Sequence, residues 1–565
     1  MIERSSERVR QAAGYLILAL FAGSGAACGF AGAGGPARAA AGLREDRVTV
    51  GAYGEVVAMA ASQRMIFAAS PAGLAAFDRV AQRWLPPLTE ADGYPAGRIT
   101  AIAGDPDSDA VWIAALGEVL FYRPAIDQLI RTVVGGRTDR ILFDRDEPTV
   151  GAYVGAGDRW TRVSPGGFAA PVTLDDLPPQ GRRITSPSLE SLSEEVPALR
   201  AFSDLLTRDD ALRSWRPSSA AQVAGMSEVW LGTLGGGIYL ADPLFNRARH
   251  MTFGLFEPGV SALALASDGV WAAALGAEPR GTGGVTFASA DLQSWRWLRG
   301  PADGSMAALP AYDMLVRDGS VWIATERGVA RRDTRPTDRE RAPEWSWTTN
   351  RDARRAYALA VQGGNVWAGT DAGVVLVGAI TPDGGTAPDL EATSAGSLGS
   401  LGGMGRVRAL LASGDTLWVG SAAGLRIVRL PGGEPTRPLG LNVPSWMRQP
   451  IVALARGDSV VLVATDDRVG MIDLSSGAVM LLPGNPDLAR LGHLTALAMD
   501  ARTIWIGGER GAVVIERATG LLRSTNVPGT PSEPVFDIAL QPDFAWLATP
   551  SGLVRIRRLP DGGVR

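Results

Sequence analysis

The sequence predicts an all-β chain folded as a β-propeller, and three recurring features predict it. A large apolar anchor, usually Trp flanked by β-branched or aliphatic residues, recurs eleven times, at positions 67, 112, 153, 230, 271, 322, 367, 418, 462, 505 and 546. The residue two places after every anchor is Ala or Gly, and Gly follows six places after seven of them. Leaving out the long interval from 153 to 230, the anchors are about 45 residues apart, the period of a four-stranded propeller blade. The expected architecture is therefore about eleven four-stranded blades. A single ring of eleven exceeds the usual four to eight blades, so two packed propellers with a small helical insert are expected.

Each element of the repeat has a local reason. The strongest anchors are Trp112, Trp230, Trp271, Trp322, Trp367, Trp418, Trp505 and Trp546, each inside a run such as Val321-Trp322-Ile323-Ala324. Phe67, Tyr153 and Leu462 are weaker copies. A bulky residue beside a vacant side-chain position suits sheets stacked face to face, where large fills space left by small. The glycines at 73, 236, 328, 373, 424, 511 and 552 (Gly73, Gly236, Gly328, Gly373, Gly424, Gly511 and Gly552) end the turn after the anchor strand, where positive φ is easiest without a Cβ. Alternating apolar segments such as Val407–Leu411 precede the anchors, and others such as Gly424–Val428 follow them. Strand, turn, Trp strand, Gly turn and strand make a meander.

Composition narrows the function classes. Of 565 residues, 46% are hydrophobic and 20% charged, enough apolar content to exclude general disorder. The net charge is −4, and all 55 basic residues are Arg, which we read as codon bias. No nucleic-acid partner is expected from that balance. Residues 1–28 read as a signal peptide: Arg4, Arg8 and Arg10, an apolar run from Ala12 to Ala22, and small residues leading to Cys28, the sole cysteine. The run is too short to span a bilayer. Cys28 directly after Gly25-Ala26-Ala27 resembles a bacterial lipoprotein signal, in which that cysteine carries the lipid; Gly25 stands where the motif usually has Leu. Residues 29–47 read as a flexible tether.

Asp92-Gly93-Tyr94-Pro95, then Ile99, Ala101-Ile102, Asp105 and Val111-Trp112-Ile113-Ala114, resemble the two-component regulator propeller repeat, and Val321–Val329, Val366–Val374 and Leu417–Leu425 match its second half. The resemblance covers residues 48–565 apart from the interruption. It implies a sensor-type propeller working outside the cytoplasm, often on glycans, and carries over no catalytic residue. Arg565 follows the last repeat almost directly, so any signalling partner is expected to be a separate chain.

Organisation follows from the spacing. Residues 48–160 hold three blades, 161–222 a Pro-rich and helical insert, and 223–565 eight blades. Within the insert, Leu192, Val196, Leu199, Phe202, Leu205 and Leu206 step at helical intervals. Chemistry is sparse. His250 and His493 are the only histidines and neither has a metal-spaced partner, which leaves no support for a triad or zinc site. Asp105, Asp107 and Asp109 form an acidic turn that lacks the rest of a calcium loop. Trp295 with Trp297, and Trp345 with Trp347, place indoles on one face of a strand, either as outer-strand packing or as a platform for a sugar ring. No catalytic, metal or cofactor residue is assigned. The expected function is an exported, lipid-anchored, periplasmic or cell-surface propeller that binds or senses a glycan or a partner protein without catalysis. The rival readings are a scaffold in an envelope complex and a propeller lyase or hydrolase acting on polysaccharide or lactone.

Overall fold

The computed structural model describes residues 46–559 apart from 196–208, 210–212, 246, 277–280, 302, 308, 335–344, 349–354, 380–403, 431–433, 437–440, 483–487, 518–521 and 525–531. Cys28, the 1–28 signal and all but the end of the 29–47 tether lie outside these residues, as does most of the helical pattern beyond Glu195. Ala40–Arg565 form one compact unit.

The described chain is all-β apart from short helical turns and one helix, α1 (Leu189–Glu195), whose first turn is capped by the Ser188 hydroxyl accepting from the Ser191 N–H at 3.0 Å. Eleven antiparallel sheets, A to K in chain order, follow the repeat. Their first strands are Ala58–Ala61, Ile99–Gly104, Arg140–Asp144, Pro217–Gln222, Val260–Leu265, Ala311–Arg317, Ala356–Gln362, Val407–Ser413, Ala453–Arg456, Leu494–Met499 and Asp537–Leu540. Every anchor lies on the second strand of its sheet. Alternation of large apolar and small residues on these strands buries both faces, which is why the anchor strands are buried along nearly their whole length.

First strands touch in a fixed succession. Those of E, F, G, H, I, J and K follow one another, and K returns to E, so this series closes on itself. In the second series D touches A, A touches B, and B touches C. The sheet holding Trp230, the first after the insert in chain order, thus lies beside the N-terminal sheets in space. Spatial neighbourhood here is set by which faces fit, not by chain order.

Two boundaries change. Arg47–Val50 pairs antiparallel with Gly552–Arg557, Arg47 opposite Ile556 and Val50 opposite Leu553, and completes sheet K from the other end of the chain. The expected tether therefore ends in a strand. The 161–222 stretch is only partly an insert: Ala169–Val172 and Arg183–Thr185 are the two edge strands of sheet C, and Pro217–Gln222 is the first strand of D. Backbone groups in a long Pro-rich segment still need partners, and sheet edges supply them.

The small residue after the anchor has a clear packing role. A Cβ on Gly369 would come within 2.6 Å of Val407, one on Gly420 within 2.7 Å of Ile451, and one on Gly232 within 2.6 Å of Val56. In each case the intruder is a β-branched residue leading into the next sheet of the series. The vacancy is filled by the neighbour's Val or Ile, not by a neighbouring anchor. The turn glycines also need one correction. Gly328, Gly373, Gly424, Gly511 and Gly552 have φ from 100 to 139°, and Gly73 sits at the limit of that region at 159°. Gly236 is not in it; its neighbours Gly235 and Gly237 are, and a Cβ on Gly236 would strike Trp215 at 2.5 Å.

The two series share one core. Tyr53, Trp84, Trp230 and Phe253 pack in the same cluster as Val260, Trp295 and Trp546. Gln293, between strands of E, accepts from the Trp84 N–H at 2.9 Å and donates back to the Trp84 carbonyl at 3.1 Å.

Candidate functional site

All eight anchor tryptophans are buried. The indole N–H of Trp112 donates to Asp105 Oδ2 at 2.8 Å, and that of Trp546 to Gln541 Oε1 at 2.9 Å. Asp105 also accepts from the Asp107 N–H and the Ser108 hydroxyl, so the 105–109 turn serves to hold an anchor. Trp295, Trp297 and Trp345 are buried too, and each donates its N–H to a backbone carbonyl at 2.8 Å. They pack outer strands. His250 lies between the rings of Tyr239 and Trp297, 4.8 and 5.0 Å from their centroids. Among the described residues no group of three His, Cys, Asp or Glu side chains could hold a metal ion.

The strand register singles out a different set of residues. On each first strand, one position lies directly opposite the small residue that follows the anchor. It is Ala58, Ala101, Ala262, Ala358, Ala409, Ala453 and Ala496 in seven sheets. Paired residues share a face of the sheet, and this face is the one turned toward the next sheet. The four exceptions are Arg140 in C, Ser219 in D, Asp313 in F and Asp537 in K.

The two acids belong to the closed series. Asp313 accepts from the Met314 N–H and, across the gap, from the Leu359 N–H of the next sheet, both at 2.7 Å. Asp537 accepts likewise from Ile538 at 2.8 Å and from Leu263 of the next sheet at 2.7 Å. Burial pushes both carboxyls up, Asp537 to about 6 and Asp313 to about 7, the latter also through the Asp537 charge; the N–H donors oppose the shift without cancelling it. These carboxylates tie neighbouring sheets together.

The other two exceptions border a cavity of about 590 Å³, within the range of small-molecule sites. First strands of all four sheets A to D reach it, through Ala58 and Met59, Ala101 and Ile102, Arg140 to Leu142, and Ser218 to Ala220. Arg183, Thr185 and the residues entering α1 complete the wall. Sheet C brings them there because Arg183–Thr185 pairs on the free side of its first strand, as a fifth strand. The Arg140 guanidinium sits 4.8 Å from the Trp160 ring centroid, and its Nε lies 3.5 Å from Asp139 Oδ1. Arg140 also donates to the Gly157 carbonyl, and Arg183 Nε to the Pro178 carbonyl at 2.7 Å. Hydroxyls of Thr185, Ser186, Ser188, Ser218 and Ser219 and the apolar side chains of Met59, Ile102, Ile141 and Leu142 supply the rest.

A polar cluster at the start of the F and G strands makes a contrast. Tyr312 donates to Glu326 at 2.8 Å, Tyr357 to Asp371 at 3.2 Å, and Arg406 donates to Asp371 at 3.1 Å while lying 4.7 Å from the Tyr357 ring. Its groups satisfy one another, whereas the cavity offers donors around open space.

No protein-family profile matches the chain. No curated protein matches it either. Among solved structures it is similar to a computationally designed protein (18% identity, 60% of this chain and 95% of the other, TM-score 0.37). It is also similar to the extracellular domain of a putative hybrid two-component system of B. thetaiotaomicron (14%, 89% and 69%, TM-score 0.39) and to the WD40 propeller domain of Doa1 (13%, 53% and 92%, TM-score 0.37). No helix among the described residues is long and apolar enough to cross a membrane.

Proposed function

We propose that this protein is an exported, non-enzymatic β-propeller that binds or senses a ligand in the cavity bordered by sheets A to D. In this reading the closed series E to K is one seven-bladed propeller, A to D form a second propeller-like unit packed against it, and Cys28 carries a lipid that holds both at a membrane. The resemblance of the repeat to two-component regulator propellers supports a sensing role, with a glycan as the first ligand class to try. One observation carries the proposal. Where seven sheets place Ala, the two sheets at either end of the A to D series place Arg140 and Ser219, and both border the cavity. The other two departures, Asp313 and Asp537, are used up in bonds to the next sheet, whereas Arg140 and Ser219 face open space, and binding sites on a repeat scaffold live in such departures.

The test is a glycan screen with the purified protein, followed by the cavity-filling variant Ala101→Leu. Saturable binding that this variant abolishes, with secondary structure retained, is the expected result. Catalytic turnover of a polysaccharide or ester, lost on changing Asp139, would replace the binding reading with the enzymatic one. Cell fractionation tests the anchor: Cys28→Ala is expected to move the protein from membranes to the soluble fraction.

A further inference from the structure

We infer that the cavity of sheets A to D selects a hydroxylated carboxylate, of the chemical class of a sugar acid. This rests on the reading of the cavity as the binding site and adds the charge and polarity of what it holds.

The charged groups in the wall are Arg140, Arg183 and Asp139. Two guanidinium groups against one carboxylate leave a single positive charge to be balanced. Asp139 lies beside Arg140, and among the described residues no carboxylate is within ion-pair range of Arg183. Arg183 spends Nε on the Pro178 carbonyl. A guanidinium carries five N–H donors in a planar fork that fits a carboxylate bidentately. One unbalanced charge suits a monoanion better than a phosphomonoester, which carries nearly two. The remaining wall has two characters. The Thr185 and Ser186 hydroxyls offer donors and acceptors matched to a ligand's own hydroxyls, and Met59, Ile102, Ile141 and Leu142 offer apolar surface for the carbon face of a sugar ring. A neutral sugar would leave the guanidinium charge unused, and a purely apolar acid would leave the hydroxyls unpaired.

The experiment is titration calorimetry of the whole protein with four probes: glucuronate, its methyl ester, glucose and inorganic phosphate. Glucuronate is expected to bind saturably, with the ester and glucose at least tenfold weaker and phosphate weaker still. Arg183→Gln is expected to weaken glucuronate at least tenfold while leaving glucose unchanged. Arg140→Gln also removes a contact with Trp160, so its thermal midpoint is measured beside its affinity; Arg183→Gln, which gives up one bond to a loop carbonyl, keeps the test independent of folding. Equal binding of glucose and glucuronate, or indifference of glucuronate to Arg183→Gln, overturns the inference and leaves the cavity as a binding site. Tighter binding of phosphate overturns it in favour of a phosphorylated ligand. If no probe binds and Ala101→Leu leaves the ligand found by the glycan screen untouched, the cavity reading falls as well.

Discussion

In the closed series of sheets E to K, the position opposite the small residue departs from Ala as Asp313 and Asp537; in the series A to D it departs as Arg140 and Ser219. The same repeat therefore surrounds acids that link sheets in one region and a basic, hydroxylated cavity in the other. Hairpin length differs between the two regions as well. In all seven sheets of the closed series this position stands nine residues before the anchor, so first strands superpose and a short Asp reaches the N–H of the next sheet. In B, C and D it stands eleven, thirteen and eleven residues before the anchor, and C inserts a fifth strand. Sheet A keeps the nine-residue spacing, so the departure is confined to B, C and D. The sheets E to K close on one another, while the series that contains the three longer hairpins borders the cavity.

The largest expected effect tests whether the two regions fold as one. Trp418→Ala in the closed series and Trp112→Ala in the other should each destabilise by about 3–5 kcal/mol, the range for a buried large aromatic. Trp112→Ala also strips Asp105 of an indole donor. Because Trp84, Trp230, Trp295 and Trp546 share a core, both variants are expected to unfold in one transition. Two separate calorimetric transitions in Trp112→Ala, with the upper one at the wild-type midpoint, would make the regions independent.

The acid pair gives the next effect. Carboxyl pKa values raised by folding favour the protonated form, so their contribution is complete below the ordinary Asp range and is lost as pH rises through about 6 and 7. Asp313→Asn with Asp537→Asn should remove that loss, worth roughly 2–4 kcal/mol between pH 5 and pH 8. The comparison to make is the denaturant midpoint of both proteins across that range; parallel curves would show that the pair titrates normally.

Smaller still is overpacking. Gly420→Val places methyl groups where Ile451 already stands and should cost about 1–3 kcal/mol, whereas Gly414→Ala, at a turn with open space, disturbs only a φ of 62°. Equal midpoints for wild type and Gly420→Val would refute the role given to the vacancy. At the bottom of the scale, Arg183→Gln should leave stability within about 0.5 kcal/mol of wild type, as expected of a partly exposed residue in no buried network. A larger loss would recast Arg183 as structural.

Much of this organisation is legible in the chain itself. Anchors, small partners and turn glycines are fixed by short-range rules: pleat alternation, tight-turn geometry, and the volume left between stacked sheets. The aligned anchors also expose Asp313 and Asp537, since both stand nine residues upstream where five other sheets of the closed series carry Ala. Arg140 and Ser219 escape that alignment because their hairpins are longer, and Arg183 because a strand hidden in a Pro-rich stretch has no periodic signal of its own. Three things were decided only by tertiary structure. Arg47–Val50 closes the sheet of Gly552–Arg557 across most of the chain; the Trp230 sheet sits beside the N-terminal ones; and four first strands open around a cavity while seven others close on themselves. The physical reason is common to all three. A repeat specifies how each sheet packs on a neighbour, but which sheet becomes that neighbour depends on the accumulated angle between sheets and on which strand edge is left to pair, and neither is a property of any short stretch of sequence.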